Sequence, residues 1–170
     1  RWAARKRPQQ ARGPNVAYIV IADDDELIAE MASGILMDAG HACGWVSDGE
    51  KARALLQWRR PDLLLLDHDM PGVLGSTLLR ELRQSEDLYD LPVIMFTRMS
   101  GEADEAAARL NGAQDFIRKP FDPKFLVWRV ELLLNARAER PRHRPLGELV
   151  GVAPRDDDEG LPRPSRRAVS

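Results

Sequence analysis

The sequence is short of several features that would have announced a class by themselves. Its 170 residues include one cysteine, Cys43, so neither an internal disulfide nor a thiolate zinc site can form within the chain. No apolar run approaches the roughly 18 residues of a membrane-spanning helix. The basic start lacks an apolar h-region and does not read as a secretory signal. Nor is there an overall excess of one charge: 25 Lys+Arg against 27 Asp+Glu leave a net charge of -2. These absences leave an intracellular, cytoplasmic domain with no membrane contact as the expectation.

What is present is distributed unevenly. Hydrophobic residues make up 44% of the chain, enough for a sizeable core. Residues 1–14 carry five basic residues and no acid, and 138–170 carry seven basic and six acidic residues. The middle, 15–137, therefore holds 13 basic against 21 acidic residues, a net of -8. An acidic core argues against a domain-wide nucleic-acid footprint. The expected organisation is a basic flexible leader (1–14), one folded domain (15–137) and a Pro/Arg-rich tail or linker (138–170), the last with five prolines and no core of its own.

Within 15–137, short apolar runs alternate with helical periodicity. Tyr18–Ala22, His41–Val46, Leu63–Leu66, Val93–Phe96 and Phe116–Arg118 read as strands. Helical patterns follow each of them. Gly40 closes the first, Asp48 caps a second running through Trp58, and a third surrounds Thr77–Arg83. The fourth covers Glu102–Leu110, and Asp122 with Pro123 opens a fifth that runs to about Arg137. Such alternation implies βαβ units, a parallel sheet and helices on both faces.

Ligands of open parallel α/β sheets sit beyond the carboxyl ends of the strands. Here strand 1 ends in Asp23-Asp24-Asp25, strand 3 in Asp67, strand 4 in Thr97 and strand 5 in Lys119. Clustered carboxylates need a cation or a raised pKa, and all-oxygen ligation suits Mg²⁺. A carboxylate can also be the nucleophile in phosphoryl transfer, with a hydroxyl and an ammonium receiving the phosphoryl oxygens. Taken singly, a triple-Asp run is an ordinary solvated turn and Lys-Pro says almost nothing. Their convergence on one sheet edge is what carries the chemistry.

These residues resemble the receiver (CheY-like) domain of bacterial two-component response regulators. The resemblance spans roughly 15–137 and rests on VIADDDE, LLLLDHDMPGVLG, VIMFT and GAQDFIRKPF. It implies a flavodoxin-like (βα)5 sheet of strand order 2-1-3-4-5. It also implies that Asp67 is the phosphoacceptor, supplied by a sensor histidine kinase or phosphotransfer protein. Mg²⁺ would be held by Asp23, Asp24, Asp67 and the backbone carbonyl of Asp69. Thr97 would hydrogen-bond the phosphoryl group, Lys119 would pair with it, and Phe116 would occupy the aromatic switch position. Gly75, with Met70-Pro71, matches the loop after the phosphoacceptor. No turnover of an external substrate is expected, so the chain is not read as an enzyme.

Two departures stand out. Arg98 follows Thr97 where the family usually has a small residue, and it is expected either to point into solvent or to reach Asp69 and partly cover the opening. On the last helix, Phe125, Trp128 and Leu132 form a second apolar stripe beside the core face of Leu126, Val130, Leu133 and Leu134. That stripe is expected to meet a partner or to pack on the tail around Leu146–Val152. An Asp115–Arg129 pair across this face would be worth little if exposed. Since 138–170 can build no output domain, the expectation is output by protein contact, to an effector or a second copy, through the helix 4–strand 5–helix 5 face, with no DNA-binding domain visible. Two alternatives stay open: a phosphorylation-independent receiver acting as an interaction module, and a haloacid-dehalogenase-like phosphatase using Asp67-His68-Asp69. The motif order counts against the phosphatase.

Overall fold

A computed structural model describes residues 16–98 and 101–138. The leader 1–14 and the tail from 139 onward, including any packing of Leu146–Val152, lie outside the described residues. The elements run β1 (Tyr18–Ala22), α1 (Glu26–Asp38), β2 (Ala42–Val46), α2 (Gly49–Trp58), β3 (Leu63–Leu66), α3 (Gly75–Gln84), β4 (Val93–Thr97), α4 (Glu102–Leu110), β5 (Asp115–Arg118) and α5 (Pro123–Ala138). All strands pair in parallel, in the order β2-β1-β3-β4-β5. This is the expected flavodoxin-like sheet.

Two cores follow from the alternation of side chains along the strands. Val20, Ala22, Leu64, Leu66, Val93, Met95 and Phe116 face α2, α3 and α4, meeting Leu56, Leu78, Leu79, Leu82 and Ala108. Ile19, Ile21, Leu63, Leu65, Ile94, Phe96 and Ile117 face α1 and α5, meeting Ala29, Leu36, Leu126 and Val130. Because both faces of the sheet are covered, β1, β3 and β4 read as unbroken apolar runs. The four leucines of β3 are fully buried, each burial contributing about 2 kcal/mol. No described helix is long and apolar enough to cross a membrane.

Local signals set the helix starts. The Asp25 carboxylate accepts from the Ile28 N–H at 3.2 Å to cap α1, and Asp48 accepts from Lys51 N–H at 2.8 Å to cap α2. Asp122 does the same for Phe125 N–H at 2.9 Å at the start of α5. Helix α3 begins earlier than the leucine periodicity around Thr77 suggests, at Gly75, which is pulled against the preceding strand end.

On α5, Leu126 and Val130 are buried, while Phe125, Trp128 and Leu132 are half-exposed. The Arg129 guanidinium lies beside the Phe125–Trp128 ring pair, 5.6 Å from the Phe125 centroid and 5.3 Å from that of Trp128. It also forms a two-pronged ion pair with Asp115. The condition under which the pair would be worth little is not met, because Asp115 is only 3% exposed.

Candidate phosphoacceptor site

The carboxyl ends of β1, β3, β4 and β5 bring Asp23, Asp67, Thr97 and Lys119 to one edge, and all four are buried. Asp23 ends β1 under cover of the sheet. Burial pushes its carboxyl above the ordinary carboxylate range, and the Lys119 ammonium only partly offsets this. Lys119 Nζ forms an ion pair with Asp23 and stands 3.5 Å from Asp67 Oδ2. The aliphatic stem has no room to wander: the side chain is 3% exposed. Its ammonium sits 5.0 Å from the Phe96 ring centroid. The Lys119 N–H donates to the Thr97 carbonyl at 3.0 Å, tying the ends of β4 and β5 together.

Asp67 is anchored through its other oxygen, which accepts from the His68 N–H at 2.8 Å. Asp67, Asp23 and the exposed Asp24 offer carboxylate oxygens that all lie within 4.8 Å of one another. Three hard oxygen donors in a partly buried cluster, with one ammonium as counter-charge, match the donor set of Mg²⁺ rather than that of a thiophilic metal. Asp69 lies on the rim with its side chain 70% exposed, and His68 Nε2 is 3.9 Å from that carboxylate. Phe116 is buried on β5 in register with Met95 of β4.

The loop leaving Asp67 is shaped by backbone proximity. Gly75 N–H donates to the His68 carbonyl at 2.9 Å, and a Cβ on Gly75 would stand 2.0 Å from the Asp67 carbonyl oxygen. Gly49, at the start of α2, donates to the Pro71 carbonyl at 3.1 Å, and a Cβ there would lie 2.2 Å from the Val73 carbonyl oxygen. Only glycine fits either place.

Arg98 does not reach Asp69. Its Nη2 pairs instead with Asp25 Oδ2 at 2.6 Å. The reason is geometric: Asp25 presents one oxygen to cap α1, and its second oxygen faces the end of β4. A further contact was missed altogether in the sequence. The Trp45 indole N–H, on β2, donates to the Asp23 carbonyl at 2.8 Å. Cys43 is a half-buried thiol against the Ser33 carbonyl, and burial pushes its pKa up to about 11.

A doubly wound five-stranded sheet with a buried Lys, a hydroxyl and an acidic cluster at one edge defines the class of doubly wound α/β domains with a polar site beyond the carboxyl ends of the strands. The chain belongs to the response regulator receiver domain family, whose pattern it matches over residues 19–131. It is 38% identical over 117 residues to the phosphate regulon transcriptional regulatory protein PhoB of Pseudomonas aeruginosa, covering 69% of this chain and 51% of that protein. It is 36% identical over 135 residues to the DNA-binding response regulator MtrA of Mycobacterium tuberculosis, covering 79% and 56%. Among solved structures, a putative response regulator from Chloroflexus aurantiacus superposes with a TM-score of 0.69 at 34% identity, covering 71% of this chain and 99% of that one. The signal receiver domain of a histidine kinase from Syntrophus aciditrophicus gives 0.68 at 33%, covering 76% and 97%.

These relatives overturn one expectation. Output by protein contact through the helix 4–strand 5–helix 5 face, to an effector or a second copy and without DNA, does not stand. The curated relatives are named as transcriptional or DNA-binding regulators, and the chain spans only about half their length. The poverty of 138–170 as a folding unit therefore carries no argument against DNA as the output.

Proposed function

We propose that this chain is the phosphorylation-controlled input of a two-component response regulator, with Asp67 as the residue phosphorylated by a sensor histidine kinase or phosphotransfer protein. The observation that carries the reading is the buried Lys119 ammonium lying between Asp23 and Asp67, with three carboxylates within 4.8 Å. Asp23, Asp24 and Asp67 would hold Mg²⁺, together with the Asp69 backbone carbonyl. The bound ion would offset the charge of the carboxylates and of the incoming phosphoryl oxygens.

An Asp67 oxygen attacks phosphorus. The new O–P bond forms as the P–N bond to the donor imidazole breaks, and the departing electron pair stays on the imidazole nitrogen, which takes up a proton. Lys119 and Thr97 receive the phosphoryl oxygens, where negative charge is spread. Thr97 drawn toward that group leaves room that Phe116 enters, coupling a local charge to the end of β5. The reaction is stoichiometric, without turnover of an external substrate. The folded input is assigned to 15–137, with the leader and tail outside it, in the cytoplasm. DNA binding is the output that the relatives' names support.

Intact-mass measurement after incubation with acetyl phosphate and Mg²⁺ tests this reading. Wild type should gain one phosphoryl group and Asp67→Asn none, while Lys119→Ala should slow the gain about 100-fold. Removing Mg²⁺ with EDTA should abolish it. A wild type that stays unmodified, and that also fails to bind beryllofluoride, would instead support an interaction module that needs no phosphorylation.

A further inference from the structure

The turn after β1 carries three consecutive carboxylates at the mouth of the site. Asp23 and Asp25 are each held several times over. The Asp23 N–H donates to the Val46 carbonyl at 3.0 Å, its carbonyl accepts the Trp45 indole N–H at 2.8 Å, and its Oδ1 accepts the Asp25 N–H at 3.0 Å. Asp25 caps α1 with Oδ1 and pairs with Arg98 through Oδ2. Among the described residues, Asp24 between them has no hydrogen-bond or ion-pair partner, although its carboxylate stands within 4.8 Å of those of Asp23 and Asp67. Three like charges so close repel, and an exposed, unattached Asp24 would be the first to swing out to water. Its neighbours on both sides are gripped, and the grips come from strands flanking β1 and β3.

We propose that Trp45 of β2 and Arg98 at the end of β4 are positioning residues that clamp the Asp23–Asp25 turn so that Asp24 points into the acidic cluster. This rests on the reading of that cluster as the Mg²⁺ site. The geometry separates a clamp from a mere charge. Arg98 as a free cation near a dication site would weaken Mg²⁺ binding, and its removal would tighten it. Arg98 as a clamp strengthens Mg²⁺ binding, and its removal weakens it.

The experiment uses ¹⁵N-labelled full chain. Amide exchange at Asp24 and Asp25 is read in metal-free protein, and Mg²⁺ is then titrated by calorimetry in every variant and, where Trp45 is kept, also by its indole N–H signal. Trp45→Phe keeps an aromatic ring, smaller than the indole, and loses the donor. It should speed exchange at both amides and raise the Mg²⁺ Kd about tenfold, the lower end for partners standing behind the metal ligands. Arg98→Ala should raise the Kd about threefold, as fits a partly exposed ion pair, and Arg98→Lys should recover part of the loss. Unchanged exchange together with an equal or lower Kd in both variants overturns the clamp. Wild type that binds no Mg²⁺ overturns the metal reading. In that case faster exchange in the variants shows the grips to be real but without the role proposed, so the two failures are told apart.

Discussion

Two segments at the same sheet edge are held in opposite ways. The β1–α1 turn, Asp23–Asp25, is fixed by side chains: an indole, a guanidinium and an ammonium arriving from elsewhere, and its own capping carboxylate. The β3–α3 loop after Asp67 is fixed by backbone packed on backbone, made possible where two glycines leave out a Cβ. Charge and hydrogen bonding govern the first, so ionic strength and ligands can adjust it. Excluded volume governs the second, which has almost no intermediate setting. A switch that must respond to one added phosphoryl group benefits from having both, an adjustable wall facing a fixed one.

That contrast breaks most visibly at the glycines. Gly75→Ala places a methyl 2.0 Å from the Asp67 carbonyl oxygen, so the start of α3 must move. Urea unfolding should show a loss of about 3 kcal/mol that is insensitive to salt. Gly49→Ala should cost slightly less, against Val73. A loss below about 1 kcal/mol at both positions would remove the distinction between the segments.

The second test asks whether fixing by side chains is always weak. Arg129→Ala strands the Asp115 carboxylate, 3% exposed, with only the Phe116 N–H at 2.8 Å. A buried charge left without its counter-ion is costly, and the partial exposure of Arg129 moderates this to about 2 kcal/mol. Arg129→Ala and Asp115→Asn combined should be less than additive. Smallest is the rim pair. Arg98→Ala should change stability by less than about 1 kcal/mol, and the change should fade between low and high NaCl, because the Arg98 side chain is 70% exposed. If Arg98 proved as costly as Arg129, burial would not be what sets the scale.

The fold was legible because β1, β3 and β4 are buried on both faces and so appear as unbroken apolar runs ended by polar residues. The same property exposed Asp23, Asp67, Thr97 and Lys119, since strand ends in a parallel sheet share one edge. Other features needed the third dimension. Arg98 had acidic partners available on two different loops, and only the geometry of the α1 cap shows why Asp25 takes it. Trp45 lies on an outer strand whose pattern is weak, and its target is a main-chain carbonyl, a group every residue possesses. Asp115 begins a strand, and while its pairing with Arg129 was legible, nothing in sequence marks it as buried. Gly75 matched a motif, but the reason for a glycine is a distance between two stretches of backbone.

The fixed wall has a consequence for how substitutions would be tolerated in a library. Every side chain at position 75 or 49 meets the same obstruction at its first carbon, so those positions should fail in cellular abundance whatever the chemistry of the replacement. Positions 45 and 98 should persist in abundance and fail in signalling. A screen scored for both would sort the rim of this site into residues the chain needs to exist and residues it needs to respond.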